Sequence, residues 1–290
     1  MKQLVVDIGG TNTRICLVDE DYSIVLKDRM NWPGDFESYS KSLKEFCCRH
    51  LESSDTEKTV GLSVAGAYLT REGKAWIPNL FGETPVSPFD LFGKGRDSLF
   101  VTNDRVSGAT GEMLMGAARG VRDFLYISIG TGVGMGIVSD GHVVDGSNGF
   151  AGSVGWLRFD GERIEDLVGG VGVTSRYEKL SGARLSAAEI FDLAEGGSQE
   201  AAEVLDVAAR YLGKLMACFT NSMNPERIVL SGSIGSRWEL LKDRALETLI
   251  EETSPMISLP DICLSNLGED AQILGTAILM HHKIKVQEVY

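Results

Sequence analysis

Leu4 to Asp7 is an apolar run ending on a carboxylate and reads as a buried strand. Arg14 to Val18 alternates apolar and polar side chains, a turn at Asp19-Glu20-Asp21-Tyr22-Ser23 follows, and Ile24 to Leu26 makes a third strand. The same order returns farther along. A strand from Phe124 enters Gly130-Thr131-Gly132, continues from Gly134 to Ser139, turns at Asp140-Gly141 and resumes from His142 to Val144. The two halves therefore read as a duplicated unit of strand, glycine turn and meander. Between them Phe36 to Leu51 predicts a helix, Thr59 to Val64 and Leu99 to Thr102 predict strands, and Arg105 to Arg119 has small and apolar residues at helical spacing. Helices are also predicted at Ala187 to Glu195, Gln199 to Asn221 and Asp270 to His282, with a strand at Arg227 to Leu230. Each half is then an α/β unit, a mixed sheet with crossover helices, and the two lobes are expected to meet near residue 105. Pro85, Pro88 and Gly93 to Gly95 mark a surface loop, and no stretch has the composition of a disordered tether.

Composition narrows the partners more than the fold. With 290 residues, 43% of them hydrophobic, the chain can build two packed lobes or one large domain. A net charge of −13 repels nucleic acid and anionic membrane surfaces, so a small ligand is expected, with neither nucleic acid nor membrane as partner. Cys16, Cys47, Cys48, Cys218 and Cys263 form neither a CxxC pair nor a Cys/His cluster and read as reduced thiols. No stretch approaches the roughly 20 apolar residues of a membrane span, and the first residues run straight into a strand, which leads to a cytoplasmic expectation.

Chemistry concentrates at strand ends. In Asp7-Ile8-Gly9-Gly10-Thr11-Asn12 the paired glycines let backbone N–H groups turn toward one point, which suits a phosphate. Asp7 stands where it can hold a hydrated Mg²⁺, an ion that takes only one or two protein carboxylates. A plain hairpin turn accounts for the same glycines equally well. The GxxxxGK[ST] pattern is missing, which excludes a P-loop nucleotide site. Gly130-Thr131-Gly132-Val133-Gly134-Met135-Gly136 repeats the device, and a glycine-rich strand approached by a helix explains its glycines but not the repeated threonine. Asn103-Asp104 closes a strand and precedes a helix, the place for a general base and equally the place for an ordinary N-cap. Arg227 to Gly235, with Gly232 and Ser233, is a further strand entering a small-residue turn on which a purine can lie.

Taken in this order, the segments resemble the ROK family of sugar kinases and the related bacterial glucokinases, within the actin-like ATPase superfamily. The resemblance runs nearly end to end. Asp7 to Arg14 is similar to the first phosphate motif, Asn103-Asp104 to the sugar and base motif, and Gly130 to Gly136 to the second phosphate motif. Arg227 to Gly235 is similar to the adenosine segment, and Leu267-Gly268-Glu269-Asp270-Ala271 with Gly275 to the closing helix. The resemblance implies a two-lobed, ribonuclease H-like fold with the ligand in a cleft between a small lobe of residues 1–105 and a large lobe of residues 106–269. A C-terminal helix of about residues 270–290 would pack back on the small lobe. It implies transfer of the γ-phosphoryl group of Mg²⁺-bound ATP to a sugar hydroxyl, with Asp104 as base and Asn103 on neighbouring hydroxyls. Gly66 and Asn79 would line the sugar site, and Glu165 would close its anomeric end unless it is a solvated carboxylate at a helix start. Asp7, Gly9, Gly10, Thr11, Asn12, Arg14, Thr131, Gly132, Gly232 and Ser233 would hold the nucleotide.

Two departures bear on the substrate. Where relatives carry Gly-Glu-x-Gly-His, this chain has Gly152-Ser153-Val154-Gly155-Trp156, so Ser153 and Trp156 replace the charged and imidazole contacts to the sugar. A site built on such hydrogen bonds discriminates by orders of magnitude, so glucose does not carry over as the substrate. Trp156 reads either as a stacking surface for the substrate or as a packed core aromatic. The cysteine-rich zinc motif is replaced by Leu157 to Arg163, and no zinc is expected. Competing readings are a catalytically silent sensor of sugar or nucleotide and an ATPase acting on a partner protein. Relatives are often dimers, so a homodimer is a further expectation, with no segment assigned to its interface.

Overall fold

The computed structural model describes all residues except 11, 52–54, 94, 96–97 and 283–290, and the backbone but not the side chain of residue 57. To residue 114 the chain runs β1 (Lys2–Ile8), β2 (Asn12–Val18), β3 (Ile24–Asn31), α1 (Phe36–Leu51), β4 (Thr56–Val64), β5 (Ala67–Leu69) and β6 (Lys74–Trp76). It continues through α2 (Pro78–Phe81), α3 (Pro88–Phe92), β7 (Leu99–Asn103) and α4 (Asp104–Leu114). After it come β8 (Phe124–Ile129), β9 (Val133–Ser139), β10 (His142–Val143), β11 (Arg158–Phe159), β12 (Glu162–Arg163), α5 (Ile164–Val168) and α6 (Gly170–Ser181). The last elements are α7 (Ala187–Glu195), α8 (Gln199–Met223), β13 (Arg227–Ser231), α9 (Gly232–Gly235), α10 (Lys242–Glu252), β14 (Asp261–Leu264) and α11 (Ala271–His281). Two compact units form, one of Met1–Leu114, Val144–Ala151 and Glu269–Tyr290, the other of Met115–Val143 and Gly152–Gly268.

The first unit holds a five-stranded sheet in the order β3-β2-β1-β4-β7. The β1–β2 and β2–β3 pairs are antiparallel, and β4 and β7 add in parallel. Every residue of β1 from Leu4 to Ile8 is buried because both faces of the sheet are covered, which is why the strand reads as a run and not as an alternation. Leu4, Val6 and Ile8 share a core with Tyr39, Leu43 and Cys47 of α1 and Leu91 and Phe92 of α3. On the other face α11 lies close to the strands. A Cβ on Gly61 would stand 2.9 Å from Thr276 and 3.6 Å from Val5.

Helix α4 ends at Leu114, short of the predicted Arg119, and the chain divides there and not near residue 105. The reason lies in its partner. A Cβ on Gly275 of α11 would fall 1.8 Å from Ser107 O, and one on Gly111 of α4 would fall 2.4 Å from Ala271 O, so the two backbones touch. Thr276 Oγ1 donates to Ser107 Oγ at 3.0 Å across the same contact. These glycines bind α4 into the first unit.

The second unit repeats the sheet as β10-β9-β8-β13-β14, again three antiparallel strands followed by two parallel ones. Leu125, Ile127, Ile129, Ile228 and Leu230 pack under Leu212, Leu215 and Met216 of α8 and Leu249 of α10. Residues 158–163 form the β11–β12 hairpin. Its turn residues Asp160 and Gly161 both have positive φ, 51° and 88°, as an Asp-Gly hairpin turn demands. Tyr211 donates to Asp160 at 2.8 Å and Lys214 lies 3.3 Å from the same oxygen, tying the hairpin to α8.

Candidate active site

Strand β7 ends on Asn103, which pairs with Val64 at the end of β4, itself paired with Ile8 at the end of β1, and Asp104 follows as the first residue of α4. Asp104 Oδ1 accepts the N–H of Arg105 at 2.8 Å, a reach of one residue and not the two or three of an N-cap. Its side chain is 27% exposed. Burial pushes the carboxyl up, Arg105 pulls it down, the like charge of Asp7 adds to the rise, and its pKa stands at about 6.

Asn103 is 2% exposed, and both polar atoms of its side chain bond to the protein. Its Oδ1 accepts the N–H of Tyr68, and its Nδ2 donates to Asp145 Oδ1 at 2.9 Å and Gly149 O at 3.0 Å. The second lone pair of Oδ1 is what remains for a ligand. Arg105, 6% exposed, donates to the carbonyls of Gly66, Gly149 and Ala151. Asp104, Asn103 and Gly66 are thus brought together, and Arg105 and Asp145 join them without having been singled out in the sequence.

The first glycine turn closes by a bond from Gly9 N–H to Asn12 O at 3.0 Å. Asn79 on α2 stands beside it, its Nδ2 3.0 Å from where a Cβ of Gly10 would sit. Thr11 lies outside the described residues. Asp7 is 5% exposed, and its Oδ2 takes both Arg14 Nη2 at 2.7 Å and Arg14 Nε at 3.2 Å. Arg14 also reaches Glu269 O and, at 3.3 Å, Gln272 Oε1. Its guanidinium therefore clamps Asp7 to the start of α11.

In the second unit the turn between β8 and β9 closes from Gly130 N–H to Gly132 O at 3.0 Å. The N-terminus of α6 rests on it, Gly170 N–H donating to Gly130 O at 2.8 Å and Val171 N–H to Thr131 O at 3.4 Å. The positive end of that helix dipole therefore faces the turn, which favours an anion there. Glu165 accepts the N–H of Val133 at 3.3 Å, and a Cβ on Gly132 would meet its carboxylate at 2.2 Å. Gly155 packs on the same carboxylate, its Cβ position 3.1 Å away. Glu165, Gly132 and the Ser153-to-Trp156 segment thus share one place. Trp156 is 54% exposed with the Arg163 guanidinium 5.1 Å from its ring, so the core-aromatic reading is corrected, since the segment's apolar contact with the core is made by Val154 instead. At the end of β13, Gly232 has φ +83° and packs on Ile129 O, Ser233 lies near Gly130, and Ser231 Oγ is buried without a hydrogen-bond partner.

Two absences concern the described residues alone. No group of three or more His, Cys, Asp or Glu could hold a metal ion among them. None of their helices is long and apolar enough to cross a membrane.

Comparison with known proteins bears on these two halves. The chain is 31% identical over 288 residues to the bifunctional enzyme NanE/NanK of Brucella melitensis, covering 95% of this chain and 53% of that protein. It therefore spans about half the length of that relative. It is 26% identical over 317 residues to a glucokinase of Thermotoga maritima, covering 98% of each. The ROK hexokinase of Thermus thermophilus superposes with a TM-score of 0.78 at 25% identity, covering 98% of this chain and 99% of that one. The fold is accordingly that of the actin-like ATPases, with a mixed sheet in each unit. Residues 3–283 match the model of the ROK family, and the chain belongs to that family.

Proposed function

We propose that this protein is an ATP-dependent sugar kinase that transfers the γ-phosphoryl group to a hydroxyl of a hexose or hexose derivative, with Asp104 as the general base. The observation that carries this reading is the Asp104 carboxyl, half-buried at a strand end and raised to about 6 by its surroundings. At neutral pH it is ionised, yet it is a better proton acceptor than an ordinary carboxylate. As the sugar oxygen bonds to the γ-phosphorus, its proton passes to Asp104 and the bond to ADP breaks. The glycine turns after β1 and β8 supply N–H groups for phosphate oxygens, the second backed by the α6 N-terminus. Mg²⁺, when bound, neutralises phosphate charge. Asp7 fits a water-bridged role there, since Arg14 occupies its Oδ2 and its Oδ1 is the oxygen left for the ion's hydration shell.

Glu165 supports a sugar hydroxyl at the anomeric end, and Ser153 and Trp156 offer a small hydroxyl and an exposed ring where a substituent can rest. Relatives named glucokinase and hexokinase support the hexose class. The test is ADP release with Mg²⁺ and ATP against hexoses, amino sugars, N-acetylated sugars and sugar alcohols, with a control lacking sugar. Sugar-dependent release is expected. ATP bound but never consumed with any acceptor would remove the kinase reading, and release without sugar would point to an ATPase.

A further inference from the structure

Arg105 occupies the second position of α4 and is almost wholly buried. A buried guanidinium must find acceptors for its donors. Here they come from three backbone positions: Gly66 O between β4 and β5, Gly149 O at 3.2 Å, and Ala151 O at 3.2 Å. Gly149 O also accepts Asn103 Nδ2, so the arginine and the asparagine grip the same loop, residues 144–151. The nearest carboxylate oxygen in an ion pair with it, Asp104 Oδ1, lies 3.9 Å from Nη1. An arginine kept only to pair a charge would bond that carboxylate directly. This one bonds carbonyls and stands off from the carboxylate.

We propose that Arg105 is the positioning residue of this site: its guanidinium ties the Gly66 carbonyl and the 149–151 backbone to the helix that begins at Asp104, and its charge faces the Asp104 carboxylate. This rests on the kinase reading for its catalytic consequence, but not for its structural one. The charged groups that face Asp104 are Arg105 on α4 and Asp7 on β1, the latter neutralised by Arg14 on β2; Asp145 of the loop faces Arg105 and Asn103. Arg105 favours the ionised form of Asp104 and Asp7 opposes it, so removing Arg105 raises the pH at which Asp104 gives up its proton.

Two substitutions separate position from charge. Arg105→Lys keeps the charge but cannot span three carbonyls, so sugar-dependent kcat/KM is expected to fall about 10- to 100-fold, with the acid limb of its pH profile unmoved. Arg105→Met loses both, so turnover falls at least as far and the acid limb moves to higher pH. The KM for ATP stays within about twofold in each. Amide exchange across residues 144–151 should quicken in both variants, and a ¹³C titration of the Asp104 carboxyl should shift upward in the Met variant alone. Unchanged exchange in both variants, or an acid limb and titration that stay put in Arg105→Met, would overturn the proposal. If the Met variant does not fold, the exchange and kcat/KM of Arg105→Lys decide. Were the wild-type protein to turn over no sugar, the kinase reading would fail, while exchange and titration would still judge the positioning role.

Discussion

The turn after β1 and the turn after β8 share one frame and differ in what stands behind it. Each joins two antiparallel strands, and in each sheet the strand that leads in has a parallel neighbour on its other side, β4 in one and β13 in the other. Behind the first turn is a buried ion pair, Asp7 with Arg14, and an amide, Asn79. Behind the second is the N-terminus of a 12-residue helix, α6, and the Glu165 carboxylate. The repeated backbone fixes where N–H groups point. In the first unit the turn is backed by side chains alone, an ion pair and an amide, whereas in the second a helix N-terminus stands behind it beside the Glu165 carboxylate.

The comparison breaks most sharply at Asp104. Asp104→Asn should lower turnover by about 10²- to 10⁴-fold while calorimetry finds ATP bound as before. Retained turnover would show that the first unit contributes no base. The same variant tests stability with an opposite sign. The folded pKa of about 6 lies above the ordinary 3.8, so the folded state holds the proton more tightly. This group's stabilisation is complete below about pH 4 and is lost as pH rises through about 6. Asp104→Asn should therefore unfold later in urea than the wild type at pH 8, by on the order of 2 kcal/mol, and at about the same point at pH 4.

Arg14→Met should cost about 3–5 kcal/mol by urea unfolding, because it leaves Asp7 charged and buried without a partner. A loss near zero would mean that water reaches Asp7. Gly132→Ala should cost about 1–3 kcal/mol and raise the KM for sugar, since the new methyl falls on the Glu165 carboxylate. Gly10→Ala meets only the end of an exposed asparagine, which can swing away, and should be close to neutral in a thermal melt. Last, Arg122→Met removes an ion pair to Asp140 exposed on both sides and should leave the melting temperature where it was. A measurable loss there would weaken the contrast with Asp7 and Arg14.

Much of this was legible along the chain. The run at Leu4 to Asp7, the glycine turns, and Asn103-Asp104 between strand and helix all rest on near neighbours, which a linear pattern records. Glu165 was legible as a helix-start carboxylate, and α5 places it there. The β11–β12 hairpin carried its own signal in Asp160-Gly161, which the absence of cysteines overshadowed. Arg105 had no such signal. Its acceptors are backbone carbonyls 39, 44 and 46 residues away, and any residue type can supply a carbonyl. The boundary after Leu114 was likewise hidden, because Gly111 and Gly275 show their purpose only when two helices distant in the chain touch.

The sequence by itself determined the duplicated sheets, the places where backbone turns toward a phosphate, and the acids at the strand ends, because hydrophobic period and turn chemistry act over a few residues. Tertiary structure alone decided that Arg14 belongs to Asp7, that Arg105 and Asn103 grip the 144–151 loop, and that Trp156 faces solvent. Those outcomes depend on which distant groups share a buried volume, and in that volume every donor left without an acceptor carries a free-energy cost.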